Sequence, residues 1–166
     1  MLDHIIPKPP TIKPYQAHQM VQGLADGNPV LFADRGDRLL VRTSQKLTKD
    51  AQRVRQCRAG DVVGFELRAC VSKKRKGKHL YPDTSDWRVR HQWLDRQAEK
   101  HGFEVLTVNC HAERLVIDDQ RTRKFAIDQT DFVGVLKVVD EEKFKAALEK
   151  GIGSTARTFG FGMLEI

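Results

Sequence analysis

From Gly60 to the C-terminus, the apolar residues follow a pattern that few folds can accommodate. Alternating apolar residues predict strands at residues 62–71, 103–108, 132–139 and 161–166, and residues 114–117 with 124–127 are expected to extend the second strand. Helical spacing predicts helices at residues 86–100 and at Glu141–Lys150, with Gly102 and Gly151 just past their ends. The order strand, helix, strand, strand, helix, strand is that of the ferredoxin-like fold, which RNA-recognition domains share.

The front half repeats the first four of these steps in shorter form. A strand is predicted at residues 3–8, a helix at residues 15–25 opened by Pro14, and a hairpin of strands at residues 30–33 and 38–43. A short polar helix is predicted at residues 47–55. We therefore expect an α+β protein of two small tandem ferredoxin-like units, an abbreviated one at residues 1–58 and a fuller one at 59–166. No Ser/Gly-rich linker separates them, so we expect a rigid interface, and 166 residues suffice if both units are small.

The net charge of +7 is concentrated in one part of the chain. Twelve Lys/Arg but only three Asp/Glu lie between Arg42 and Lys78. The densest stretch contains the cations Lys73, Lys74, Arg75, Lys76 and Lys78. Such a run is either a solvated loop or a strip that binds phosphates, because clustered cations displace counterions from a nucleic-acid backbone. The run lacks an apolar face, which argues against a membrane surface as the partner.

Cysteine usage and hydropathy indicate the redox compartment of the protein and the kinds of site and partner it has. The three cysteines form neither a C-x-x-C pair nor a disulfide framework, which fits a reducing cytoplasm. Cys110 and His111 have no second ligand pair at zinc spacing, and neither a metal nor another cofactor is expected. No apolar run reaches the roughly 18 residues that a membrane span needs, and we expect neither a signal peptide nor a membrane-spanning segment. Trp87 and Trp93 are expected to be buried on their helix rather than stacked on RNA.

The segment between the last helix and the last strand is rich in glycine. Gly151, Gly153, Gly160 and Gly162 remove Cβ atoms where the backbone must approach something closely, and Arg157 adds a donor for phosphate oxygens. We call residues 151–162 the glycine segment. Its pattern is neither a Walker loop nor a dinucleotide fingerprint. A plain helix-to-strand connection is the alternative, because Gly151 alone can serve as a helix cap.

With its two G-hydrophobic-G pairs, a basic spacer and a closing apolar strand, the chain resembles the CRISPR repeat endoribonucleases that process precursor CRISPR RNA (crRNA), in particular the CasE type of the type I-E Cascade complex. The matching parts are Gly151-Ile152-Gly153, Gly160-Phe161-Gly162 and Met163-Leu164. The resemblance also covers residues 60–68, the segment from Trp93-Leu94 to Gly102-Phe103, and residues 132–144. The spacer is one residue longer than the common family form, and the chain is expected to be a short member, reduced in its front half.

The resemblance implies that Tyr15 and His18, spaced as Tyr-x-x-His at the start of the first helix, are the catalytic pair. At roughly 100° per residue, Ala17, Met20, Val21 and Leu24 share one helix face, with His18 at its edge and Tyr15 further round. Both side chains can therefore reach a groove. Without the resemblance, a surface histidine beside a half-buried tyrosine is the simpler interpretation.

The family chemistry needs no external nucleophile, because the 2′-oxygen of RNA attacks the adjacent phosphate and leaves a 2′,3′-cyclic phosphate. Histidine titrates near neutral pH and suits the proton transfer. The assisting cation is left open among Lys13, Arg35 and Arg157. The resemblance implies metal-independent cleavage, binding of a CRISPR repeat hairpin through the basic run and the glycine segment, retention of the product, and docking on a Cascade backbone subunit. The alternatives are a catalytically inactive RNA-binding or Cascade-interacting protein of the same fold, and a general RNA-recognition or ribosome-associated protein.

Overall fold

The computed structural model describes residues 1–118 and 124–166, which form two four-stranded antiparallel sheets and three α-helices. Each sheet has the ferredoxin-like strand order, and the predicted α+β fold class is confirmed. Within the described part of the chain, no helix has both the length and the apolar character needed to cross a lipid bilayer.

The first sheet is built from the front half of the chain, in the order β2-β3-β1-β4. Its elements are β1 Leu2–Pro7, α1 Pro14–Ala25, β2 Val30–Asp34, β3 Arg38–Thr43 and β4 Gln52–Arg53. A complete ferredoxin-like unit has a second helix between β3 and β4, but residues 44–51 form no helix here. The first unit is therefore abbreviated, as the sequence predicts.

The helix predicted at residues 47–55 is wrong, and hydrogen bonding explains why. The buried His4 side chain accepts from the Thr48 backbone N–H at Nδ1 (3.3 Å), and its Nε2 lies 3.0 Å from the Gln45 carbonyl oxygen. The following residues, Gln52 and Arg53, pair with the start of β1. Backbone groups that a helix would use are thus bonded elsewhere, and the segment has no apolar stripe that would favour a helix.

The second sheet has the order β10-β5-β9-β8 and carries the fuller unit. The observed succession from Gly60 is the predicted one, except that residues 73–80 form a separate two-stranded hairpin and the last strand is shorter than expected. The elements are β5 Val62–Ala69, β6 Lys73–Arg75, β7 Lys78–Leu80, α2 Trp87–His101, β8 Phe103–Ile117, β9 Phe125–Val138, α3 Glu141–Lys150, a 3₁₀ turn Arg157–Phe159 and β10 Leu164–Glu165. The long β8 and β9 include the predicted extensions at 114–117 and 124–127, apart from Lys124, which precedes β9.

Helices α2 and α3 cover one face of the second sheet because their apolar residues recur at helical spacing. Phe144, Ala147 and Leu148 of α3 are buried in the same core as Phe65 and Leu67 of β5. Burial of a large apolar side chain such as these phenylalanines and leucines stabilises the fold by about 1.5–3 kcal/mol. The core of the first unit is smaller and lies between α1 and its sheet, with Ala17, Val21, Phe32, Leu39 and Val41.

Two burial predictions fail at helix edges. Trp93 is buried and stacks on Phe132 with ring centroids 6.0 Å apart, as expected. Trp87, in contrast, is 55% exposed. It is the first residue of α2, and its ring contacts His91 and Arg88 of the same helix. Leu24 of α1 is 40% exposed although Ala25 after it is fully buried, because the buried face of the helix is centred on Ala17, Val21 and Ala25.

The two sheets are joined by hydrogen bonds from arginine side chains to backbone carbonyl groups. The Arg42 guanidinium donates to both carboxylate oxygens of Asp3 at 2.6 and 2.7 Å within the first unit. It also donates to the carbonyl oxygens of Leu148 and Leu164 in the second unit, at 3.1 and 2.8 Å. Arg68 adds a bond to the Asp34 carbonyl oxygen (2.7 Å) from the other side. These contacts fix the relative position of the units, while the predicted boundary after residue 58 stays a prediction.

Candidate active site

Helix α1 begins at a groove between the two units, which Pro14, Arg35 and Glu113 help to line. The helix carries Tyr15 and His18 in its first two turns. Pro14 occupies the first helical position, and the Lys13 backbone N–H donates to the Gln16 side-chain oxygen at 3.0 Å, which holds the start of the helix. Ala17 and Val21 are buried against the sheet. Tyr15 and His18 are half-buried beside them, where helical spacing predicts that they can reach a groove.

The His18 imidazole packs near two aromatic rings. Its centroid lies 6.2 Å from that of Tyr15 on the same helix and 6.5 Å from that of Phe32, which it stacks on at 28°. The Nδ1 atom is buried and has no hydrogen-bond partner among residues 1–118 and 124–166. A buried polar atom without a partner costs about 1–3 kcal/mol of stability. Such atoms are rare in native proteins, and a catalytic role is one of the explanations for them.

The glycine segment is closed at its neck by its own backbone. The Ile152 N–H donates to the Gly162 carbonyl oxygen at 2.7 Å, and the Gly162 N–H donates to the Arg68 carbonyl oxygen at 2.7 Å. A Cβ on Gly151 would lie 2.5 Å from the Gly162 oxygen, which no side chain permits. The close backbone approach predicted for these glycines is present, and the atoms they approach belong to the protein's own chain.

Arg157 fills the inside of the glycine segment. Its Nε and Nη2 donate to the Gly153 carbonyl oxygen at 2.9 and 2.6 Å, and its Nη1 donates to the Lys150 carbonyl oxygen at 2.7 Å. Arg157 is half-buried, and this burial lowers the pKa of its guanidinium. Arg157 therefore organises the loop that the sequence assigns to RNA binding, and a contact between its remaining donors and RNA stays a prediction.

Contacts between the units bring the glycine segment beside His18. The 3₁₀ turn Arg157–Phe159 packs against α1 and β2. At the end of this turn, Gly160 has φ +82°, and a Cβ there would lie only 2.8 Å from the Phe32 ring. Since Phe32 also stacks on His18, the glycine segment, Phe32 and the histidine form one packed chain. The two motifs singled out by the sequence are thus adjacent.

The cations of the basic run lie on an exposed hairpin. Lys73, Lys74 and Arg75 of β6 pair with residues 78–80 of β7, and the pair is joined by a two-residue turn at Lys76 and Gly77 with φ values of +48° and +78°. We call β6–β7, residues 73–80, the basic hairpin. Its base touches the glycine segment, because the Ser72 and Thr155 hydroxyl oxygens are 3.4 Å apart.

The three candidate cations differ in what they contact. Arg157 is bonded to backbone carbonyls, as described above. Arg35 is paired with two carboxylates, those of Glu66 (3.0 Å) and Glu165 (2.5 Å). Lys13 directly precedes α1 and forms one exposed ion pair, 3.0 Å from the Asp118 carboxylate, whose pKa it lowers through this hydrogen bond.

Two features of the site have no signature in the sequence. Phe32 is one of several apolar residues in a predicted strand, and its contact with His18 depends on how α1 packs on β2. Asp118, the partner of Lys13, is 105 positions away along the chain. Contacts of this kind depend on the tertiary packing and cannot be inferred from local spacing.

Comparison with known proteins places this arrangement among related folds. The family model for CRISPR-associated proteins matches residues 15–166. Among curated protein sequences there is no significant match. A solved structure of the CRISPR endoribonuclease Cse3 bound to a 19-nucleotide RNA is similar with a TM-score of 0.83 and 21% identity, over 99% of this chain and 99% of that chain.

Two further solved structures are similar over nearly the whole of both chains. Thermus thermophilus Cse3, bound to an RNA representing a pre-cleavage complex, has a TM-score of 0.79 and 22% identity, over 99% of this chain and 97% of its own. A chain of E. coli Cascade bound to a PAM-containing double-stranded DNA target has a TM-score of 0.67 and 23% identity, over 99% and 97%. At these identities, the similarity shows that the fold is shared.

Proposed function

Since the chain belongs to the family of CRISPR-associated proteins, we propose that it is an endoribonuclease that binds the hairpin of a CRISPR repeat and cleaves precursor crRNA. The observation that carries the proposal is the position of His18. It lies with Tyr15 at the start of α1, against the glycine segment, and has a buried nitrogen without a partner among the described residues. Similarity in fold to Cse3 structures solved with RNA supports the same function.

The proposed reaction is attack of the 2′-oxygen on the adjacent phosphorus, without a metal ion. The 2′-oxygen forms a bond to phosphorus while the bond to the 5′-oxygen of the next nucleotide breaks, which leaves a 2′,3′-cyclic phosphate and a 5′-hydroxyl. His18 takes the proton from the 2′-hydroxyl, or gives one to the leaving 5′-oxygen, and a water molecule makes the other proton transfer. Because Nδ1 is buried, Nε2 is the ring nitrogen proposed to reach the RNA. The Tyr15 hydroxyl orients the reacting phosphate.

Lys13 is the cation that we propose for the phosphorane charge. It lies at the same helix end as Tyr15 and His18, and its single ion pair with Asp118 is exposed, so a phosphate can replace the carboxylate at little cost. Lys13→Met should lower the rate at saturating RNA by about 10²-fold, as expected for loss of one charge-stabilising donor. Lys13→Arg should retain part of the rate, and Asp118→Asn should not lower it. An unchanged rate in Lys13→Met would exclude this assignment.

The RNA is proposed to lie along a continuous surface from α1 to the basic hairpin. The 3₁₀ turn contacts α1, and Thr155, two residues before this turn, contacts Ser72 at the base of the basic hairpin. Lys73, Lys74, Arg75, Lys76 and Lys78 then face the phosphates of the repeat hairpin, which is bound by charge and shape. Gly151, Gly153, Gly160, Gly162 and Arg157 give the glycine segment its form, and its hydroxyl side chains contact the RNA.

Retention of the cleaved product and docking on a Cascade backbone subunit complete the proposal. The similarly folded chain in E. coli Cascade supports it. The prediction is that the protein and its product RNA elute together from a sizing column, and that mixing with Cascade backbone subunits moves both to the larger species. Free product in the presence of intact protein would contradict it.

The cleavage itself is tested with a synthetic repeat RNA in EDTA. The wild-type protein should produce a 5′ fragment ending in a 2′,3′-cyclic phosphate. A matched RNA with 2′-deoxyribose at the cut nucleotide should bind equally well and remain intact, because it lacks the nucleophile. Binding without cleavage of the all-ribose RNA would instead identify an inactive RNA-binding or Cascade-interacting protein. Cleavage that requires added Mg²⁺ would overturn the metal-independent reaction.

A further inference from the structure

A buried ionic cluster lies beneath the base of the basic hairpin. Arg90 of α2 and Asp128 of β9 are both completely buried, with Nη1 and Oδ2 2.8 Å apart. The Thr130 hydroxyl donates to the same Asp128 oxygen at 2.8 Å. A buried ion pair adds little net stability compared with apolar packing, because both charges lose their hydration. The position of the cluster suggests a further role.

The Asp128 carboxylate is bonded to the chain at the start of the basic hairpin. Its Oδ2 accepts from the backbone N–H of Val71, two residues before β6, at 3.1 Å. Its Oδ1 accepts from Nη1 of Arg114 at 2.5 Å. This one carboxylate therefore accepts hydrogen bonds from two guanidinium groups and from the backbone of the segment that leads into the hairpin.

The two arginines hold the segment that leaves the hairpin. Arg90 Nη2 donates to the Asp83 carbonyl oxygen at 3.0 Å, and Arg114 Nη2 donates to the Pro82 carbonyl oxygen at 2.5 Å. The Arg114 guanidinium also lies over the Tyr81 ring, 5.3 Å from its centroid. Both ends of the hairpin are thus connected, through one or two side chains, to Asp128.

The basic hairpin depends on these anchors for its direction. In the described parts of the chain, β6 and β7 pair with each other alone, and all six of their residues are exposed. An isolated two-stranded hairpin is marginally stable in water, and the neighbouring cations repel each other. Its orientation relative to the glycine segment is therefore set where it joins the rest of the protein.

We propose that Asp128, with Arg90 and Arg114, is a positioning residue for RNA: it holds both ends of the basic hairpin, so that the five cations already point along the repeat hairpin before binding. The proposal rests on the function proposed above. A fixed hairpin loses less conformational entropy on binding, which strengthens RNA affinity without any contact between Asp128 and RNA. The rate of the chemical step is not affected, because His18 lies on the other unit.

Asp128→Asn tests the proposal, with Asp131→Asn as the matched control. Asp131 is on the same strand and forms a bidentate pair with Arg68 at 2.7 and 3.0 Å. Asp131→Asn therefore also removes a carboxylate–arginine pair, but this pair does not hold the hairpin. Arg114→Gln is the second variant, because Arg114 is partly exposed and its loss is less damaging to folding than a change at Asp128.

Amide hydrogen exchange of the free protein is the first measurement, and RNA cleavage is the second. In Asp128→Asn and Arg114→Gln, exchange in residues 71–80 should rise roughly tenfold or more, as expected when a hydrogen bond to a charged group is lost. The RNA concentration at half-maximal rate should rise roughly tenfold, while the single-turnover rate at saturating RNA stays within about twofold of wild type. Asp131→Asn should leave exchange in residues 71–80 unchanged.

Each outcome separates this proposal from the one on which it rests. Unchanged exchange at residues 71–80 in both variants, or faster exchange with unchanged RNA affinity, would overturn the positioning role alone. If Asp128→Asn does not fold, the same criteria apply to Arg114→Gln. Failure of the wild-type protein to bind repeat RNA would overturn both proposals, whatever the exchange rates are.

Discussion

Gly160→Ala should disturb His18 from the other unit, because Gly160 contacts the phenylalanine that supports the histidine. The residue has φ +82°, where an alanine costs about 1–2 kcal/mol. Its new Cβ would lie 2.8 and 3.1 Å from two atoms of the Phe32 ring and 3.2 Å from the Asp34 nitrogen. Phe32 is 4% exposed and cannot swing into solvent, so overpacking adds about 1–3 kcal/mol. The expected loss in the free energy of unfolding is about 2–5 kcal/mol.

Gly27→Ala is a matched control for the backbone contribution. Gly27 has φ +79°, and a Cβ there would have nothing within 4 Å. Its replacement should therefore cost only the backbone part, about 1–2 kcal/mol. The difference between the two variants in urea denaturation isolates the contact with Phe32. Equal losses in both variants would refute the close approach.

Cleavage reports the consequence for the active site. Because Phe32 stacks on His18, a shift of its ring displaces the imidazole, and a displacement near 1 Å is expected to lower the single-turnover rate by about 10²-fold. Phe32→Leu in the Gly160→Ala background removes ring atoms that clash, so the double variant should lose less stability than the sum of the single variants. Full cleavage activity in Gly160→Ala would refute the connection between the glycine segment and His18.

Three further predictions concern the interface, a buried thiol and the basic hairpin. Arg42→Ala leaves the Asp3 carboxylate and two buried carbonyls without their donor and should cost about 3–5 kcal/mol in urea denaturation, whereas Arg38→Ala, whose exposed pair is 3.7 Å long, should cost less than about 1 kcal/mol. Burial raises the pKa of Cys70 to about 12. As the pH rises, the thiol of the unfolded chain ionises before the buried one, so this contribution to stability is intact below the ordinary thiol pKa and is lost as the pH approaches 12. Cys70→Ala should therefore reduce the alkaline loss in the free energy of unfolding by up to about 1.4 kcal/mol per pH unit. An equal loss in both proteins would contradict this. Replacing Lys73, Lys74, Arg75 and Lys76 with glutamine should reduce the slope of log affinity against log salt by about 3 to 4. An unaltered slope would show that these cations do not contact RNA phosphates.

The second unit was predictable because its local patterns agree with its tertiary packing. Val63, Phe65, Leu67 and Ala69 alternate inward along β5, as the sequence predicts. The sequence indicates no strands in the basic hairpin, because successive cations hide any strand pattern. Its turn at Lys76 and Gly77 is the one local signal of a hairpin. The strand Gln52–Arg53 has no such signal, since two exposed polar residues pair with β1 only because that edge is open.

The parts of the site were predictable, but their assembly was not. Helical spacing places Tyr15 and His18 at the edge of the buried face of α1, and the four glycines indicate close backbone approach. The neighbours that the glycines approach depend on contacts far apart in the chain, such as Gly160 with Phe32. The same holds for the inward direction of Arg157, which depends on carbonyl groups that become available only when the glycine segment closes.

The most direct test of the account compares wild type and His18→Ala under single-turnover conditions with saturating repeat RNA in EDTA, with RNA affinity measured in parallel. The alanine removes the proposed proton-transfer group and leaves the basic hairpin intact. We predict an affinity within about threefold of wild type and a cleavage rate lower by at least about 10²–10⁴-fold. Cleavage by His18→Ala at the wild-type rate would contradict the central claim that this histidine performs the chemistry.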